Sequence, residues 1–250
     1  MSGARSDTST RRRSLLWPTL AALTGIVLLC GLGIWQLGRL AWKEAVIARI
    51  EARVKAPPAP LPDEAEWQGL APDDFDYRRV IVTGVFDHSR EALVFRSLEI
   101  PKADIGGPGF LVLTPLRLAG GATVIVNRGF VPQDLRERAA RPQGEAIGPV
   151  TITGMMRPPE ARNAFTPADD PAKGQWFTRD PLAMAAALGL TRAAPFTVDA
   201  DAVPGVDIPR GGVTVLAIPN NHLSYAFTWF GLAATLAGVF AAFALRQRRT

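Results

Sequence analysis

Two runs of 23 residues without a charged side chain, Leu15 to Leu37 and Leu223 to Leu245, stand near the two ends of this 250-residue chain. At about 1.5 Å per residue each makes a helix roughly 34 Å long, enough to cross the hydrocarbon layer of a bilayer. A cleavable leader would have a shorter apolar core followed by a small-residue cleavage site. Here the first run leads directly into GIWQLGRLAWK, so a retained anchor is expected. The expected organisation is a tail over 1–14, a transmembrane helix over 15–37, a membrane-proximal helix over 38–56, a β-rich domain over 57–222, a second transmembrane helix over 223–245 and a tail over 246–250.

Charge supports this division. The net charge of +5 would suit a nucleic-acid binder, but residues 56–222 carry 16 Lys and Arg against 20 Asp and Glu, and the flanks carry 12 against 3. The basicity belongs to the anchors, so nucleic acid is not an expected partner, whereas membrane lipid is. Arg246, Arg248 and Arg249 follow the second run, and only Arg210 precedes it within about twenty residues. By the positive-inside rule both termini face the cytoplasm and the domain lies outside. The short arginine-rich N-terminus, without an organelle-targeting pattern, points to a bacterial inner membrane and a periplasmic domain.

Residues 38–55 keep helical spacing until APPAPLP (56–62), where prolines remove donors and clash with the preceding turn. From Tyr77 short β-branched runs alternate with turn residues: RRVIVTGVF, ALVF, FLVLTPLRL, ATVIVNRGF, VTITGMM, FTVDA and VTVLAI are about seven candidate strands. Their short connections favour an antiparallel sheet closing toward a barrel or sandwich. One short helix, Pro181 to Leu188, follows an Asp180 cap with proline at its first position. The fold class is membrane α+β, two transmembrane helices flanking an antiparallel β-rich extramembrane domain.

The single cysteine, Cys30, excludes an internal disulfide and every CxxC motif, and two histidines, His88 and His222, cannot build a multi-histidine cage. No G-x-S-x-G elbow, paired carboxylates or phosphate-cradling glycine loop stands out, so an enzyme is not expected. Trp35, Arg39 and Trp42 fall at i, i+4 and i+7 on one helical face. That face is either an aromatic belt with a snorkelling arginine or a cationic surface for an anionic amphiphile, and spacing alone does not separate the two. Asn220 and Asn221 read as caps for the second helix. His222 opens that helix, with Tyr225 and Trp229 at i+3 and i+7. It is either an interfacial histidine satisfied by hydrogen bonds or an axial ligand for haem iron. In VNRGFVP (126–132), Gly129 suggests a bulge or close backbone approach and Pro132 ends the pairing; Arg128 either binds an anion or pairs within the domain. His88 reads as a turn residue.

Taken together, GIWQLGRLAWK (33–43), VNRGFVP (126–132) and NNHLSYAFTWFGLA (220–233) resemble, in order, three segments of the surfeit locus protein 1 family of cytochrome c oxidase assembly factors. Phe130 stands where that family usually has tryptophan, and Phe230 where it usually has tyrosine. Weaker likenesses extend the similarity over residues 31–245. The resemblance implies a non-catalytic role: binding haem a and assisting its insertion into the catalytic subunit of aa3-type cytochrome c oxidase, in concert with the haem a synthesis machinery. The family's proposed iron ligand corresponds to His222. Trp35 and Trp229 would contact the haem, and Arg39, then Arg128, would meet its propionates. The alternative is a scaffold that stabilises an oxidase assembly intermediate without holding haem.

Overall fold

A computed structural model of the protein describes residues 15–102, 105–214 and 218–249. These form two compact units, one built from the two ends of the chain up to Ala48 and from Ala217, the other from Arg49–Leu216.

Helix α1 (Leu16–Lys55) runs unbroken for 40 residues, those up to Ala48 in the first unit. Arg53 and Lys55 lie in its last turn, where the helix dipole favours cations, and the prolines that follow stop it. The second long helix of the chain is α4 (His222–Arg249). Both are long and apolar enough to cross a membrane. Small residues let them approach. A β-carbon on Gly25 would stand 2.8 Å from a Leu236 methyl, and one on Gly33 would stand 2.6 Å from the Phe230 ring. These pairs ascend along one helix and descend along the other, so α1 and α4 are antiparallel, with Ala22, Ala226 and Ala233 buried along the seam.

The second unit is a β-barrel, with a four-residue helix, α2 (Pro72–Phe75), ahead of its first long strand. Its strands are β1 (Ala59–Pro60), β2 (Arg79–Phe86), β3 (Ala92–Lys102), β4 (Ile105–Leu118), β5 (Thr123–Pro132), β6 (Pro149–Arg157) and β7 (Ala193–Ala200), in the order β1-β2-β6-β7-β5-β4-β3. A further pairing of Gly84–Phe86 with Leu116–Leu118 joins β2 to β4 and closes five strands into a ring. The expectation of a wholly antiparallel sheet is corrected here, because β5 and β7 run parallel. An odd number of strands cannot alternate direction all the way round a closed ring, so at least one seam must be parallel. The crossover between β5 and β7 runs through β6: β6 is antiparallel to β7, so the return over 158–192, which carries helix α3 (Pro181–Ala187), lays β7 beside β5 in the same direction. Asp180 caps α3, its Oδ1 accepting from the Leu182 and Ala183 amides at 3.1 and 3.0 Å.

Six of the seven expected strands form. In the seventh, VTVLAI, residues 213–214 belong to no strand and 215–217 lie outside the described residues. The two-residue β1, pairing parallel with β2, is an element the sequence pattern did not suggest.

Strand β5 explains the architecture. Its residues are apolar on both faces, and both faces are covered. Val124 and Val126 point into the barrel core with Val80, Val82, Leu116, Met156 and Phe196. Ile125 and Phe130 point into a second core with Val94, Leu113, Trp176 and Met184. The β3/β4 hairpin and α3 cover the outer side of the barrel wall.

Candidate functional site

The feature of the helical unit that the sequence reading missed is Gln36. It is buried on α1 at 8% exposure, and its Oε1 lies 2.7 Å from His222 Nδ1. An amide oxygen only accepts, so His222 carries its proton on Nδ1 and donates it to Gln36. The Nε2 lone pair is thereby left available. This is the arrangement by which a hydrogen bond at one ring nitrogen orients a histidine and presents the other to a ligand.

The turn before α4 holds His222 at the start of its helix. Asn221 offers its carbonyl to the Tyr225 amide at 3.1 Å, and the Asn220 side chain approaches the His222 amide at 3.5 Å. Of the two asparagines, Asn220 therefore takes the side-chain capping role that their position suggested. Along α4, Trp229 lies only about 20° from His222 in helical projection, while Tyr225 lies about 60° away. Tyr225 is 55% exposed. The Trp229 indole N–H is buried and has no hydrogen-bond partner among the described residues. A buried N–H left unmatched costs free energy, which makes this indole an available donor on the His222 face.

Trp35, Arg39 and Trp42 do share a face of α1, but it diverges by about 100° from the direction of Gln36. Trp35 and Trp42 are exposed, and the Arg39 guanidinium lies 4.3 Å from the Trp42 ring centroid. This cation–π contact holds Arg39 against its own helix without using its hydrogen-bonding edge. The structure thus brings His222 together with Gln36 and Trp229, and sets Trp35, Arg39 and Trp42 on a neighbouring face.

Arg128 belongs to the β-barrel unit, within a motif whose neighbours are structural. Asn127 donates from Nδ2 to Asp199 Oδ1 at 2.9 Å and accepts from the Gly129 amide at 3.1 Å. Asp199, 3% exposed, also receives Arg179 Nη1 at 2.7 Å and the Thr214 hydroxyl at 2.8 Å. Burial alone would lower the Arg179 pKa, but the charges of Asp199 and Glu160 outweigh it and raise it. Glu160 is the mirror case: burial would raise its pKa, yet Arg179 and Arg96 hold it below the usual carboxylate value.

Gly129 has φ +130°, and a β-carbon there would stand 2.0 Å from the Arg210 carbonyl oxygen. The expected close approach is present: Phe130 and Arg210 exchange two backbone hydrogen bonds of 2.9 Å, and the β4/β5 register shifts between Leu111 and Leu113. Pro132 is the last residue of β5.

His88 lies in a short 3₁₀ turn, as expected, and is more engaged than a solvent-facing turn residue. Its Nε2 is 3.0 Å from the Ala146 carbonyl and its Nδ1 is 3.3 Å from Arg128 Nη1. Nε2 therefore donates and Nδ1 accepts.

The SURF1 family model matches residues 23–234 of the chain. Human surfeit locus protein 1 is 40% identical over 219 residues, 82% of this chain and 70% of that protein. The mouse protein is 38% identical over 218 residues, 82% of this chain and 68% of its own length. A SURF1-like protein of Monosiga brevicollis is 37% identical over 234 residues, 90% of this chain and 86% of its own. The matched span takes in all three motif segments, the Gln36–His222 pair and the barrel between them, and on that evidence the chain belongs to the SURF1 family.

Proposed function

We propose that the chain is an assembly factor for haem-copper cytochrome c oxidase that holds haem a through His222 and assists its passage to the catalytic subunit. One observation carries the reading: the hydrogen bond from His222 Nδ1 to buried Gln36, which fixes the tautomer and leaves Nε2 as a lone-pair donor. The residues fit the group. A neutral imidazole suits haem iron, the unmatched Trp229 N–H supplies a donor on the same face, and the surrounding helical surface is apolar. Haem a, when bound, supplies the iron centre that the oxidase subunit requires. His222 binds, Gln36 orients His222, Trp229 and Trp35 offer aromatic surface, and Arg39 offers a cation to propionates outside the lipid.

In this reading the protein is not an enzyme. It is a two-pass protein of a bacterial inner membrane, with both termini cytoplasmic and the barrel domain periplasmic. Its partners are the oxidase catalytic subunit, the haem a synthesis machinery and membrane lipid. Alkaline phosphatase fused after Ala172 is active and fused after Thr250 inactive if this orientation holds; the reverse pattern overturns it.

The functional test is purification in mild detergent from cells that make haem a, with pyridine haemochrome analysis of the bound pigment. Co-purifying haem a at near one equivalent supports the proposal. A pigment-free protein that still captures an oxidase assembly intermediate supports the scaffold reading instead.

A further inference from the structure

The arginines around Arg128 outnumber their carboxylates. Arg141 donates to both Glu91 carboxylate oxygens through Nη1 and Nη2, and Arg138 donates to both Glu145 oxygens through Nε and Nη2. Arg128 feels both carboxylates at longer range but makes an ion pair with neither, nor with any other carboxylate among the described residues. Its partners are the neutral acceptor Nδ1 of His88 at 3.3 Å and the face of Phe86, whose centroid lies 5.2 Å from the guanidinium carbon. Burial accordingly pulls the Arg128 pKa down from the ordinary arginine value. A cation held partly out of water without a contacting counter-ion is costly, and such a placement in a groove makes the residue a candidate for binding an anion.

Arg128 lines a groove of about 210 Å³. Phe86, Val150, Ile152, Val203 and Val206 form its apolar surface, and Thr151 adds a hydroxyl. The one carboxylate in the lining, Asp201, is already occupied by Arg79 through contacts of 3.1 and 2.6 Å. Val203 and Val206 are 54% and 39% exposed at the rim, and Ile147, next in sequence to the lining residue Ala146, is 98% exposed. A groove with apolar walls and a single uncompensated cation selects an anion that carries an apolar body. Its volume falls below the ~300–1,000 Å³ usual for drug-sized ligands, so a tetrapyrrole does not enter it whole. The groove suits a carboxylate with an apolar part of about ten non-hydrogen atoms.

We infer that this groove is a second binding site, separate from His222, for a small amphiphilic carboxylate whose charged end meets the Arg128 guanidinium. Arginine recognises a carboxylate through two parallel N–H donors, and the His88 contact engages Nη1 alone while the residue lines the groove. The inference does not depend on haem binding.

The test titrates 3-(4-fluorophenyl)propanoate and its uncharged carboxamide into the full chain in lipid nanodiscs, with empty nanodiscs subtracted, and reads binding by 19F NMR. The carboxylate is expected to bind at least tenfold more tightly than the carboxamide, and Arg128→Gln is expected to remove that difference. Val206→Trp, a substitution at a partly exposed rim position, fills the groove while leaving Arg128 in place and should abolish binding of both probes. It also serves as the test if Arg128→Gln fails to fold. Equal binding of carboxylate and carboxamide, no saturable binding of either, or unchanged binding to Val206→Trp each overturns the inference.

Discussion

Replacing Gln36 by leucine tests the arrangement around His222 at the residue on which it turns. The substitution preserves side-chain bulk and makes the α1 run more apolar, so membrane insertion should be unaffected. What it removes is the acceptor 2.7 Å from His222 Nδ1, at a position only 8% exposed, where water is a poor replacement. Loss of a partner that orients a metal-ligating histidine typically costs about 10–100-fold in affinity, or about 1.4–2.8 kcal/mol. On the proposed reading, haem a titrated into the protein in lipid nanodiscs and followed by its Soret band should bind Gln36→Leu about 10–100-fold more weakly. Because Gln36 acts through His222, the same substitution in a His222→Ala background should cause no further loss. Binding of Gln36→Leu within twofold of the unaltered chain, or an equal loss whether or not His222 is present, would refute a role for Gln36 in orienting His222.

Three other perturbations probe the first long helix and the barrel. Arg39→Ala should lower oxidase maturation more than Lys43→Ala, which points about 40° further round the helix and lacks the Trp42 contact; equal effects would favour plain anchoring. Gly129→Ala places a β-carbon against the Arg210 carbonyl at a positive φ, so it should destabilise the barrel unit by about 3–5 kcal/mol or block its folding, read by pulse proteolysis. Glu160 titrates below its unfolded value of about 4.3, so its contribution to stability is present above that pH and lost as the pH falls through the folded value. Glu160→Gln should therefore be less stable at pH 7 and lose less stability on acidification, and an unchanged pH profile would contradict the assignment.

The strands were legible because β-branched runs bounded by turn residues announce themselves locally, and Asp180-Pro181 announced α3 by the same local chemistry. The parallel β5/β7 seam was not legible, since strand direction around a closed ring depends on how many strands join it, and that is a property of the whole domain. Strand β5 advertised its burial in the unbroken run ATVIV, but which residue served which core emerged only from its neighbours. At the site, His222 and its asparagine caps could be read from position. Gln36 could have been: a long amide inside a run of 23 uncharged residues needs a partner, and His222 was the ionisable side chain at the matching depth of the other helix. Asp199 gave no signal, because an aspartate closing a strand in FTVDA looks like a turn residue until Asn127, Arg179 and Thr214 converge on it.

The central claim is that His222 Nε2 can ligate haem iron, and the chain offers a direct way to ask. Only two histidines are present, so labelling with 15N-histidine in a His88→Ala background leaves one labelled imidazole. Pulsed EPR of the ferric haem complex should then show a 15N hyperfine coupling of a directly bound nitrogen, which disappears when His222 is also replaced. A complex that retains full haem occupancy without that coupling would contradict the account.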